Sequence, residues 1–157
     1  MLCLGIDPGI SGGLARIETE PVPTILSGIR MPWLQHGKKS KIIDVMAIRE
    51  WLPRVRGVRV AVIENVHSMP KQGVASSFAF GRSLGAVEAL AHLTCSRVAY
   101  VTPAVWKRGY GFPKGATKRA SMDRAKIEFG DSFGWKTLAD NGIAEAALIA
   151  LHHARQS

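Results

Sequence analysis

Two apolar runs in this chain each stop on a carboxylate: Leu2-Cys3-Leu4-Gly5-Ile6 leads into Asp7, and Val60-Ala61-Val62-Ile63 leads into Glu64. Short continuous apolar runs of this kind read as strands buried within a sheet. If the two run parallel as neighbours, both acids stand at one sheet edge, where open α/β sheets build their sites. Two further acids lie near the C-terminus. Asp140 sits in Ala139-Asp140-Asn141-Gly142, and Glu145 is the lone charge of Ala144-Glu145-Ala146-Ala147-Leu148-Ile149-Ala150. A buried carboxylate costs several kcal/mol unless a cation compensates it. An oxygen-only set suits Mg²⁺, with Mn²⁺ as a substitute, rather than Zn²⁺.

The chain is otherwise strongly basic, with 21 Lys and Arg against 12 Asp and Glu, a net charge of +9. The bases cluster in Lys38-Lys39-Ser40-Lys41, over 54–59, in Lys107-Arg108 and over 114–126. Basic clusters around an acid-rich site fit phosphate contacts, so a polyanion is the expected partner. Together the two features point to metal-dependent cutting of nucleic acid. Two ions roughly 3.5–4 Å apart can clamp the attacking water and leaving oxygen of a phosphodiester.

At 157 residues the chain is expected to form one domain, 1–157, large enough to bury a core. No apolar run reaches the roughly 18–20 residues of a membrane helix. A signal peptide is not expected either, because the N-terminus lacks a basic region and Asp7 interrupts its apolar stretch. Cys3 and Cys95 have no Cys-x-x-Cys spacing and read as buried thiols in a reducing cytoplasm. The histidines show no metal-ligand spacing, and His152-His153 near the tail reads as solvated.

The spacing predicts strands over 2–7, 13–18 and 23–30, joined by Pro8-Gly9 and Ser11-Gly12-Gly13, a turn whose glycines offer positive φ. Residues 32–41 read as a loop and 42–52 as a helix that Pro53 ends. A strand over 58–64, a helix over 74–93 and a strand over 97–102 follow. Pro103 opens a short helix, 109–115 is a glycine-rich loop, and helices cover 116–129 and 142–155. An antiparallel meander followed by alternating helices and strands implies an α/β fold: one mixed five-stranded sheet flanked by helices.

Each motif also has an ordinary structural reading. Asp-Pro-Gly is a common turn, and a strand-end Glu can simply reach solvent. Asp140 and Glu145 are five residues apart, about 140° beyond a full helical turn, so one continuous helix would not put them on one face. Asp140 therefore either caps the last helix or bends in from the loop before it. In the helix over 74–93, Ser77, Gly81, Gly85 and Ala89 form a ridge of small residues. That ridge either packs on the sheet or forms a two-fold dimer contact, and Arg82 and Glu88 exclude a membrane role. Trp106-Lys107-Arg108-Gly109-Tyr110-Gly111-Phe112-Pro113-Lys114 mixes aromatics, bases and glycines, as nucleic-acid-gripping segments do, although Trp106 is equally suited to a core.

In this order, the motifs resemble the RuvC family of Holliday-junction resolvases, within the RNase H-like nucleases. Gly5-Ile6-Asp7-Pro8-Gly9 is similar to the family's opening strand and first metal ligand, and Val62-Ile63-Glu64-Asn65-Val66 to the segment bearing its second. Phe80-Gly81-Arg82-Ser83-Leu84-Gly85-Ala86-Val87 resembles its dimer helix, and Ala144-Glu145-Ala146 its last acidic helix. The resemblance implies an RNase H-like fold, a homodimer formed through the helix over 74–93, and metal ligands Asp7, Glu64, Glu145 and Asp140. It also implies Lys107 and Lys118 beside the scissile phosphate and a ligatable 5′-phosphate product. The family's Asp-x-x-Asp on the last helix is here Gly142 and Glu145, so Asp140 substitutes from another position, as in the small phage-borne members. His67 stands where the family inserts an aromatic wedge. The residues expected to face DNA are His67, Lys71, Arg82, Lys107, Arg108, Lys114, Lys118 and Arg119.

The expected activity is Mg²⁺-dependent resolution of four-way DNA junctions by paired, symmetric nicks, in a bacterial or phage-infected cytoplasm. Two rivals are a flap or RNA/DNA-hybrid nuclease on the same fold, and a branched-DNA-binding protein without catalysis.

Overall fold

The computed structural model describes residues 1–37, 40–52, 57–67, 73–131 and 133–157. Strands β1 (Leu2–Asp7), β2 (Gly13–Glu18) and β3 (Thr24–Arg30) form the antiparallel meander. Strands β6 (Val60–Glu64) and β7 (Arg97–Val101) add to it in parallel, giving the sheet order β3-β2-β1-β6-β7. The expected mixed five-stranded sheet is what the chain builds.

Helices cover both faces. Leu4, Ile6, Ala61 and Ile63 point to the face held by α1 (Val45–Trp51) and α2 (Val74–Thr94). Cys3, Val60 and Val62 point to the other, covered by α3 (Pro103–Gly109), α4 (Lys118–Phe129) and α5 (Asn141–Ala154). Two-residue alternation along β1 and β6 therefore sends Asp7 and Glu64 to the α5 face. Among the described residues, no helix is long and apolar enough to cross a membrane.

Four expectations need correction. Residues 32–41 are not a plain loop: β4 (Trp33–His36) pairs antiparallel with β5 (Ser40–Ile43) in a separate hairpin. Every residue of β4 is exposed, so no apolar alternation marks it as a strand. Ile42 and Ile43 belong to that hairpin, and the first helix begins later because the Asp44 carboxylate accepts from the Ala47 N–H as an N-cap. His152 is not solvated but 9% exposed, packed on Tyr110 and on Gly109, where a Cβ would meet its ring at 2.6 Å. Finally, none of Gly9, Gly12 and Gly13 has a positive φ; Gly12 and Gly13 are required for space, because a Cβ there would stand 2.2 and 2.9 Å from its nearest neighbours.

Candidate active site

Parallel pairing sets Gly5 opposite Val62 and Ile6 opposite Ile63, so the next residues in register are Asp7 and Glu64. Glu64 is 6% exposed, and its Oε1 accepts from the Trp106 indole Nε1 at 2.7 Å. An indole N–H in a core needs an acceptor, and α3 delivers it to the strand-end carboxylate. The Asp7 Oδ1 accepts from the Gly9 N–H at 3.3 Å.

Glu145 reaches this edge because α5 lies directly on the β1 backbone. A Cβ on Gly5 would stand 1.8 Å from the Ala146 carbonyl oxygen, and one on Gly142 would stand 2.2 Å from the Gly12 carbonyl carbon. A Cβ on Gly12 would in turn stand 2.2 Å from the Asp7 carbonyl oxygen. Three glycines thus remove the spacing that side chains would impose. Glu145 accepts from the Ser121 hydroxyl at 2.8 Å, which ties it to α4.

The acids act on one another electrostatically. Burial, then the Glu64 and Glu145 charges, push the Asp7 carboxyl up to about 8, against the weaker pull of the Gly9 N–H and Lys107. Burial also raises Glu64, with Glu145 adding to it, while the Trp106 hydrogen bond and Lys107 oppose the rise. Asp7, Glu64, Glu145 and Lys107 therefore form one electrostatic cluster. Among the described residues, no three His, Cys, Asp or Glu side chains stand close enough to hold one ion unaided.

The structure does not bring Asp140 into that set. Its Oδ2 accepts from the Lys136 and Thr137 N–H groups at 2.8 and 2.9 Å, and its Oδ1 pairs with Arg30 at 2.8 Å. With Thr137 it forms a capping box around a 3-10 turn, Leu138–Asp140, and its side chain does not cap α5. Burial works to raise its carboxyl, but the two N–H bonds and Arg30 outweigh it and hold it below the usual range.

Lys107 lies on α3 with Nζ 5.1 Å from the Trp106 ring centre. Lys118 is exposed at the first turn of α4, and Arg108, Lys114, Arg82 and His67 are exposed as well. Arg119 is exposed and pairs with Asp123 at 3.3 Å. Lys71 lies outside the described residues. The sequence reading missed Trp106 as the donor to Glu64, for which the signal was a tryptophan one residue from an expected site lysine. It also missed Arg30 and Ser121, which carry no sequence signal.

Desolvation of the Asp7 carboxyl makes stability pH-dependent. The Asp7 pKa rises from 3.8 to about 8 on folding. The stability tied to its neutral form is complete below about 4 and is lost as pH climbs through about 8. Thermal unfolding in chelator should therefore show Asp7→Asn gaining on the wild type between pH ~4 and ~8 and no further above that. A gap that stays flat with pH would contradict burial of this carboxyl.

No protein-family model matches the chain, and no curated protein does. Among solved structures it is similar to Thermus thermophilus RuvC in complex with a Holliday junction substrate, at 20% identity and a TM-score of 0.69, covering 98% of this chain and 93% of that chain. A second structure of the Thermus thermophilus protein matches at 22% identity with the same TM-score and coverage. The chain therefore has a RuvC-like, RNase H-like fold.

Proposed function

We propose that this protein is a divalent-metal-dependent endonuclease that nicks four-way DNA junctions. The observation that carries the reading is the convergence of Asp7, Glu64 and Glu145 on one sheet edge, where the Glu64 and Glu145 charges raise the proton affinity of Asp7 and the Glu145 charge raises that of Glu64. That mutual repulsion is what a cation would relieve, and the donor set is all carboxylate oxygen, so the residues fit Mg²⁺ or Mn²⁺. Asp7, Glu64 and Glu145 would hold it by drawing together from their present positions, in which no three such side chains among the described residues share one ion. Bound there, it would polarise an attacking water and neutralise charge on the leaving oxygen of a phosphodiester. Trp106 and Ser121 hold one oxygen each of Glu64 and Glu145, which fixes their orientation before substrate arrives. Lys107 offers positive charge beside the same acids, where it can meet a phosphate oxygen. The net charge of +9 and the likeness in fold to a protein bound to a Holliday junction support DNA as the substrate.

The reading includes a homodimer through α2. Ser83, Val87 and Ala91 bury that helix against its own sheet. The small ridge faces the other way: nothing lies within 4 Å of a Cβ on Gly81 or Gly85, and Phe78 beside it is 67% exposed. A two-fold contact there would supply two centres for paired nicks.

The test is cleavage of a labelled four-way junction beside linear duplex, flap and RNA/DNA hybrid of equal sequence, with Mg²⁺ or Mn²⁺ and with chelator. Metal-dependent, junction-selective cutting is the expected result. Binding without cutting in either metal would leave a junction-binding protein instead, and preference for flap or hybrid would reassign the substrate.

Asp140 is assigned to holding the turn that starts α5. Asp140→Asn should keep junction cleavage within ~10-fold of the wild type while lowering stability by ~1–2 kcal/mol, measured by chemical denaturation. A loss of cleavage as complete as that of Asp7→Asn would move it among the metal-holding residues.

A further inference from the structure

The β4–β5 hairpin is the part of the fold that the acidic centre does not use. An open groove runs from Gly12, which packs on Asp7, past the start of α5 to the hairpin. Its charged lining is all basic: Arg30, Lys41 and Lys118. None of the ion pairs among the described residues takes Lys41 or Lys118, and Arg30 shares its guanidinium with Asp140 while leaving half its side chain exposed.

Two observations give the groove the character of a nucleic-acid contact. Trp33 is 44% exposed, and the Lys41 Nζ lies 3.6 Å from its ring centre. The ammonium covers one face of the ring, so a base would stack on the opposite face while the lysine meets its phosphate. Asn141 also lines the groove; it is 6% exposed, and its Oδ1 has no hydrogen-bond partner. Buried polar atoms are normally satisfied; this acceptor is closed to solvent beneath the groove, so a bound strand would reach it only if the Asn141 side chain turned outward.

We propose that this groove is a second DNA contact, in which Lys41, Lys118 and Arg30 hold successive phosphates of the strand leaving the acidic centre and Trp33 stacks on one of its bases. The inference rests on the nuclease reading, because it takes DNA as the ligand. It deepens that reading by giving the strand a direction across the surface.

The experiment is junction binding by the full-length protein in chelator, which prevents cutting, followed by fluorescence anisotropy across a series of salt concentrations. The probe is a labelled four-way junction. Lys41→Gln should weaken binding ~3–10-fold and reduce the slope of log Kd against log salt by about one phosphate contact, ~0.7–0.9. Lys41→Arg should restore both. Trp33→Ala should weaken binding ~5-fold or more with the slope unchanged, because stacking releases no counterion. Lys41 is exposed, so its substitution leaves the fold intact even if Trp33→Ala does not fold. Wild-type binding that Lys41→Gln matches in affinity and slope would overturn the groove and leave the nuclease reading standing. Absence of wild-type binding to any branched DNA would overturn both.

Discussion

Asp7→Asn should abolish metal-dependent cleavage of a four-way junction while leaving the metal-free protein at least as stable as the wild type. Most substitutions at a buried polar residue cost stability, and this one reverses that sign for an electrostatic reason. Burial beside Glu64 and Glu145 pushes the Asp7 carboxyl up to about 8, so at neutral pH folding must carry a proton onto a group that is ionised in the unfolded chain, and that costs stability. Asparagine has nearly the same shape and keeps an oxygen that can accept from the Gly9 N–H. It cannot supply the negative charge that a divalent ion needs. The single-turnover rate should fall by ~10³-fold or more, ~4 kcal/mol of barrier. The midpoint of thermal unfolding in chelator should hold or rise. Glu64→Gln should follow the same pattern, since the glutamine carbonyl can still accept from Trp106. If either variant cuts within tenfold of the wild type, these acids are not the reacting centre.

Gly5→Ala should be among the most damaging single-methyl changes in the molecule. Its Cβ would stand 1.8 Å from the Ala146 carbonyl oxygen and 3.1 Å from the Ala150 Cβ. The first atom is backbone in the middle of α5, so no rotamer change can relieve the overlap. Either β1 or the whole helix must move, and α5 carries the largest part of the buried cluster on that face. Overpacking of ordinary side chains costs ~1–3 kcal/mol; a backbone collision at this distance should cost at least ~3 kcal/mol in urea unfolding. Any molecules that still fold should cut poorly, because Glu145 rides on α5. Full stability in Gly5→Ala would show that helix and strand are further apart than a 1.8 Å approach to the Ala146 carbonyl requires.

The strands of the main sheet were legible because their apolar runs and their limits are local. Asp7 and Glu64 stood out for the same reason: an acid that ends a buried strand conflicts with its surroundings, and that conflict is visible residue by residue. The hairpin β4–β5 was not legible. Its first strand is exposed on both sides, so no burial pattern was present to read, and the pairing of Trp33 with Ile43 leaves no mark on either run. The small ridge of α2 was visible in the sequence, but its outward direction was not, because a weakly amphipathic helix does not declare which face its sheet takes.

The fate of Asp140 and the placement of Trp106 mark the boundary. From spacing alone, Asp140 was known only to lie on a different face from Glu145, and two destinations remained open. Arg30, 110 residues earlier, together with two N–H groups of the preceding turn, takes the Asp140 carboxylate to neither of them. Residue types, their order and the conflict between burial and charge were written in the chain itself. Which acids share a face, which donors hold them and how near α5 can approach β1 were decided only by folding, because those are matters of distance between residues that the sequence keeps far apart.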